Sequence, residues 1–233
     1  MQKSEKDTRP IKPVAYAENC HTEKFGIPRQ SGRADGIVTR LIFLPEYSSP
    51  EAVRELGGFS HVWLIFGFSE SVRDSFSPTV RPPRLGGNRR VGVFASRSPF
   101  RPNSLGLSSV RLTDITSENG CTVLTVTGAD LLNGTPVYDV KPYLPQSDSH
   151  PDALGGYSAE FVTHRLEVND PLGLLCRLPE DLRTAAAECI ADDPRPSYQD
   201  DPSREYTMRL GKYDVSFRVN GGTAEITGIT DAG

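Results

Sequence analysis

Residues 109–127 read SVRLTDITSENGCTVLTVT. Ser109 to Ile115 alternates apolar and polar side chains, and Cys121 to Thr127 is rich in β-branched residues. Glu118-Asn119-Gly120 lies between them and carries an Asn-Gly pair, the strongest short-range hairpin signal. Working outward, Ile37 to Leu44 (IVTRLIFL) reads as a strand ended by Pro45. Val62 to Phe68 (VWLIFGF) is a continuous apolar run, as expected of a strand buried on both faces. Arg90 to Ala95 alternates, and Tyr138 to Lys141 begins an extended piece closed by Pro142 and Pro145. Pro50 to Leu56 leaves room for one short helix stopped by Gly57-Gly58. Many short strands with Gly/Pro turns predict a mainly β fold, a closed or nearly closed barrel. A doubly wound nucleotide fold needs alternating helices, and these are missing.

The pattern changes after residues 146–156 (QSDSHPDALGG), a linker. Pro179 to Ile190 puts Leu182, Ala185, Ala186, Cys189 and Ile190 on one helical face. Glu205–Leu210, Tyr213–Val219 and Thr223–Ile229 then read as strands. We expect a barrel domain over 8–148 and, over 149–233, the linker plus a small α+β appendage. The 233 residues carry a net charge of -4. The charged, Pro-broken start MQKSEKDTRPIKP is neither a signal peptide nor an anchor, and no apolar run is long enough to span a membrane. Four widely spaced cysteines (Cys20, Cys121, Cys176, Cys189) argue against a zinc site or a disulfide framework and for a cytoplasmic setting. Cys20-His21 is read as incidental, because a metal would need further ligands nearby.

Against that acidic background, residues 78–103 hold six arginines (Arg81, Arg84, Arg89, Arg90, Arg97, Arg101) and no acid. Guanidinium forks suit phosphate and carboxylate, so the segment points to an anionic partner. Leu85-Gly86-Gly87-Asn88 lets backbone approach a ligand but lacks the Gly-Lys-Ser/Thr ending of a Walker loop. Three further places have polar residues in turns or on one strand face. They are Pro28-Arg29-Gln30, Asp130-Leu131-Leu132-Asn133, and Asp139 with Lys141. By themselves these read as a surface turn, a capping turn and an ion pair. With four histidines (His21, His61, His150, His164) in no compelling order, histidine catalysis has little support.

Together the stretches FGIPRQ (25–30), GFSHVWLIF (58–66), PTVRPPRLGG (78–87), GVFASRSPFRPN (92–103), DLLNGTPVYDVKPYLP (130–145) and DPRPSY (193–198) resemble the TsaA-like family, also called TrmO. The likeness spans almost the whole chain. It departs at Glu18-Asn19-Cys20-His21, where the family pattern would have Ser-Pro and an aromatic. The resemblance implies a small β-barrel and a tRNA N(6)-methyltransferase acting on threonylcarbamoyladenosine beside the anticodon. It implies S-adenosylmethionine as cofactor, and a homodimer that completes the site. The implied cofactor residues are Pro28, Arg29, Gln30, Ser69, Glu70, Arg97, Leu107, Asp130, Leu131, Leu132 and Asn133.

An exocyclic adenine nitrogen is a poor nucleophile and needs a proton acceptor. Asp139 and Tyr143 are the candidates, with Lys141 orienting the carboxylate. For tRNA we name Arg81, Arg84, Arg89 and Arg101, with Arg195 and Tyr198 as a cation and a stacking ring in the appendage. Two other readings stand beside this one: a barrel enzyme for a small anionic metabolite, and a non-catalytic RNA-binding module.

Overall fold

The Asn-Gly turn forms as the sequence predicts: in the computed structural model Asn119 and Gly120 both take positive φ, 51° and 79°. The structure describes residues 9–71, 75–82, 85, 89–161, 163–196 and 198–232. Its strands are β1 (Ala15–Glu18), β2 (Val38–Phe43), β3 (His61–Gly67), β4 (Thr79–Val80), β5 (Val91–Gly92), β6 (Leu105–Glu118), β7 (Cys121–Thr127) and β8 (Pro136–Pro142). Six of them close an antiparallel barrel in the order β1-β2-β7-β6-β3-β8. Among the described residues no helix is long and apolar enough to cross a membrane.

Alternation fills the barrel. Val62, Leu64 and Phe66 of β3, Leu41 of β2, Val110 of β6, and Leu124 and Val126 of β7 point inward and are buried. The expectation that 62–68 is buried on both faces is corrected. Trp63 and Ile65 face outward and are half-buried, because a closed barrel has only one inside. The strand expected over Arg90–Ala95 shrinks to the two residues of β5, followed by a 3₁₀ turn at Val93–Ala95. The helix expected over 50–56 is two 3₁₀ turns, Pro50–Val53 and Leu56–Gly58. Glu55 between them takes φ 66°, and so short a segment cannot offset the cost of helix nucleation.

Antiparallel order sends alternate connections to opposite mouths. The β6–β7 turn and the 3₁₀ turns close one mouth. The long connections 19–37, 68–104 and 128–135 all rise from the other.

Beyond the barrel come the one-turn α1 (Pro145–Asp148), β9 (Glu167–Asn169), α2 (Glu180–Ala191), β10 (Glu205–Leu210), β11 (Tyr213–Asn220) and β12 (Thr223–Asp231). The second sheet has the order β10-β11-β12-β9, with β9 parallel to β12. With α2 it forms the small carboxy-terminal α+β unit, and that unit is joined to the barrel by packing. Ala34 and Ile37 from the β1–β2 connection are buried in its core, with Cys20 and Phe25 packed against it. The Phe25 ring stacks on Tyr206 and Phe217 at 6.4 and 6.5 Å. Gly36 lies so close to α2 that a Cβ would meet the Ala185 nitrogen at 2.9 Å. A barrel connection and the carboxy-terminal sheet therefore fold as one core.

Candidate cofactor cleft

The three long connections enclose a cleft of about 860 Å³ at the open mouth, within the size range of small-molecule sites. Its lining takes in Pro28, Arg29 and Gln30 from the first connection, and Ser69, Glu70, Arg97 and Arg101 from the second. Leu107 of β6 and Asp130, Leu131 and Leu132 from the third complete this set. Asn133 is not in the lining. Its Oδ1 accepts from the Asn19 backbone at 3.0 Å, and its own N–H donates to the His21 carbonyl at 2.8 Å. Asn19 Nδ2 also donates to the Leu131 carbonyl at 2.9 Å. The departing segment Glu18-Asn19-Cys20-His21 thus pins the turn that carries Asp130.

Asp130 marks the polar end of the cleft. The Ser108 hydroxyl, on the inward face of β6, donates to Asp130 Oδ1 at 2.6 Å. Burial pushes the Asp130 carboxyl above its usual range, against the Ser108 bond and the nearby Arg97 charge, which favour the ionised form. Arg97 Nη1 donates to Gln30 Oε1 at 2.6 Å, joining two walls across the cleft. Lys24 pairs with Glu70 at 3.3 Å, both side chains mostly exposed. Phe66, Phe68, Leu131 and Leu132 supply apolar walls. A cleft with an acid, an Arg–Gln pair and apolar walls fits a ligand that carries a cation, a carboxylate and an aromatic base.

Arg29 lines the cleft with only part of itself. Its guanidinium Nη2 turns to the Pro194 and Arg195 carbonyls at 3.3 and 2.7 Å. Arg195 is a correction. It is only 9% exposed and holds Asp193 through two bonds of 2.8 and 3.0 Å, so its guanidinium is withdrawn from any RNA surface. Tyr198 is 66% exposed. Arg81 and Arg89 are exposed, Arg101 Nη1 donates to the Ser96 carbonyl at 3.2 Å, and Arg84 lies outside the described residues.

Asp139, Lys141 and Tyr143 do not enter this cleft in one protomer. Lys141 sits 2.8 Å from Asp139 Oδ2 on the outside of β8, and the pairing raises the lysine pKa. Asp139 also borders a separate depression of about 520 Å³ at the closed mouth. The Tyr143 ring tilts against Trp63 at 5.6 Å. Register gives these residues a link to the cleft. Ile65 is opposite Leu107 on one side and Asp139 on the other, so Leu107, Ile65 and Asp139 form one row on the outer face.

Sequence reasoning missed Ser108, Lys24 and Phe94 in the lining. A hydroxyl between inward-facing Gly106 and Val110 was the available signal for Ser108. Phe94 is 75% exposed at the rim and gave no periodic signal.

The family model described as the tRNA-methyltransferase O N-terminal domain matches residues 16–149, and that of the TrmO C-terminal domain matches residues 162–232. A tRNA (adenine(37)-N6)-methyltransferase of Escherichia coli strain K12 is 39% identical over 221 residues, covering 91% of this chain and 94% of the relative. A Pseudomonas aeruginosa relative with the words S-adenosylmethionine-dependent methyltransferase in its name is 39% identical over 224 residues, covering 89% of this chain and 91% of the relative. The crystal structure of TrmO from Pseudomonas aeruginosa superposes with a TM-score of 0.75 at 32% identity, covering 96% of this chain and 99% of that one.

Proposed function

For a chain that belongs to the tRNA-methyltransferase O family, we propose methyl transfer from S-adenosylmethionine to N6 of adenine 37 in tRNA, with threonylcarbamoyladenosine as the form of that adenine it accepts. The chain is an S-adenosylmethionine-dependent tRNA methyltransferase. The observation that carries the reading is the cleft around Asp130, Ser108, Arg97 and Gln30 at the mouth from which the arginine segment also rises. The readings as a metabolite enzyme and as a non-catalytic RNA-binding module have no comparable support.

S-adenosylmethionine supplies a methyl group already activated by its sulfonium charge. The protein's task is therefore to orient donor and acceptor in line. Asp130 would accept from hydroxyl or ammonium groups of the donor, with Ser108 fixing the carboxylate. The Gln30–Arg97 pair presents N–H donors suited to a carboxylate. Exposed Arg81 and Arg89, with Arg101 at the cleft, would hold phosphates or the threonylcarbamoyl carboxylate of a base already splayed in its loop. A cytoplasmic setting accords with this substrate.

The acceptor nitrogen needs a group to draw its proton, and we assign that to Asp139, with Lys141 orienting it and Tyr143 beside it. Asp139 lies outside its own protomer's cleft, so this role requires a homodimer. The outer row supports one: Leu107 is 54% exposed, and Trp63 and Ile65 lie half-covered beside it. A second protomer on this face would bring Asp139 to its neighbour's cleft.

Calorimetry with S-adenosylmethionine, and labelled methyl transfer to tRNA with and without the threonylcarbamoyl group, test the activity and its substrate. Asp139→Asn should cut turnover strongly and leave donor affinity nearly intact. Mixing Asp139→Asn with Asp130→Asn protomers should restore activity, since one mixed site keeps both groups. Unchanged turnover in Asp139→Asn removes the residue from the chemistry; no restoration on mixing removes the shared site.

A further inference from the structure

Residues 27–30 form one wall of the cleft, and the back of that wall rests on the carboxy-terminal unit. Asp192, just past α2, is 2% exposed. Its Oδ2 accepts from the Arg29 backbone N–H at 3.1 Å, and its Oδ1 accepts from Arg33 Nε at 2.6 Å. One buried carboxylate thus ties down two points of the same connection. The neighbours reinforce it. Arg33 Nη2 donates to the His164 carbonyl at 2.8 Å, and Arg165 Nη1 to the Arg33 carbonyl at 3.1 Å. Glu188 Oε2, one turn earlier on α2, accepts from the Gly36 N–H at 2.7 Å. The Arg29 guanidinium closes the arrangement on the Pro194 and Arg195 carbonyls.

We propose that Asp192 is a positioning residue for methyl-donor binding: it holds the 27–30 wall in its binding shape, so the carboxy-terminal unit acts on the donor site without touching the donor. The proposal rests on the reading that this cleft takes S-adenosylmethionine. A connection of this length has little secondary structure of its own. Left free, it would have to be ordered each time the donor bound, and that ordering would subtract from affinity. Asp192 performs the ordering in advance. Its bonds to Arg29 and Arg33 lie behind the wall, away from the arginine segment, so its loss should be felt by the donor and not by the RNA held there.

The test uses the full chain with Asp192→Ala and Asp192→Asn. The donor dissociation constant, by calorimetry, should rise about tenfold in Asp192→Ala, the usual size of coupling between linked sites. Asp192→Asn keeps one acceptor and should fall between wild type and alanine. The turnover number at saturating donor and the KM for tRNA should stay within about twofold of wild type, a split that general loss of structure does not produce. Circular dichroism establishes that each variant is folded. If Asp192→Ala does not fold, Arg33→Met replaces it, since Arg33 touches Asp192 and is absent from the cleft lining; the same donor-only loss is expected. Donor affinity unchanged in a folded variant overturns the proposal, as does an equal loss in donor and tRNA constants. A wild-type chain that binds no S-adenosylmethionine overturns the functional reading beneath it.

Discussion

The two long walls of the cleft differ in how they are held. The wall from residues 24–37 is fixed to a second core by Asp192, Glu188, Arg33 and the Phe25 stack, with partners more than 130 positions away. Among its described residues, the wall from residues 78–103 is tied within itself by the β4–β5 bridge, Arg90 on Thr79 and Arg101 on Ser96. Its ties outward among the described residues include Arg97 to Gln30 and Tyr157 to the Ala95 carbonyl. It also exposes Arg81, Arg89 and the Phe94 ring. A small donor gains affinity from a wall ordered beforehand. A polyanion is drawn by accessible charge through water and needs a surface that can accommodate it. On the proposed assignment of donor and tRNA, the difference between the walls matches the difference between the two substrates.

The largest expected effect breaks the fixed wall with acid. His21, at the root of that wall, is fully buried with no hydrogen-bond partner on either ring nitrogen among the described residues, and burial lowers its pKa to about 4. The unfolded chain takes up this proton below pH ~6.5, the folded chain only near pH 4. Between those values the unfolded state binds more protons, so stability is full at neutral pH and falls as pH drops through this window, by roughly 3 kcal/mol. Melting curves from pH 7 to 4 should show this slope, and His21→Leu should flatten it. Parallel curves for the two proteins would free His21 of the effect.

Asp130→Asn sharpens the comparison at the cleft itself. Removing a charge-assisted acceptor should cost about 2 kcal/mol, roughly thirtyfold in donor affinity by calorimetry, while tRNA affinity holds. Equal losses for both ligands would mean that the walls are not separable. The smallest effect concerns the open wall. Arg81→Ala with Arg89→Ala should weaken tRNA binding roughly tenfold and make log K against log salt shallower by about two units. Donor affinity should be untouched; a salt slope equal to wild type would take these arginines off the RNA.

Much of the barrel was legible because alternation and turn chemistry are local. The 109–127 hairpin, β2 and α2 follow directly from period and Asn-Gly. Where local signals were short they misled, as at Pro50–Leu56 and Arg90–Ala95. The resemblance placed Gln30, Arg97 and Asp130 on the site, and in the fold they converge. It could not show that Asn133 is spent on Asn19 and His21, or that Arg195 is buried on Asp193. An arginine in a row of letters looks the same whether its partner is water, a phosphate or an aspartate next in line.

The order of residues by itself determined a strand-built chain, a basic segment on an acidic protein, and a helix with one apolar face. These depend on neighbours within a few positions. Only the folded molecule decided which arginines stay open, why the Asp130 carboxyl is pushed above its usual range, and that the second unit braces a connection of the barrel. Burial and pairing join residues as far apart as Arg29 and Asp192, separated by 163 positions, and no local pattern carries that distance.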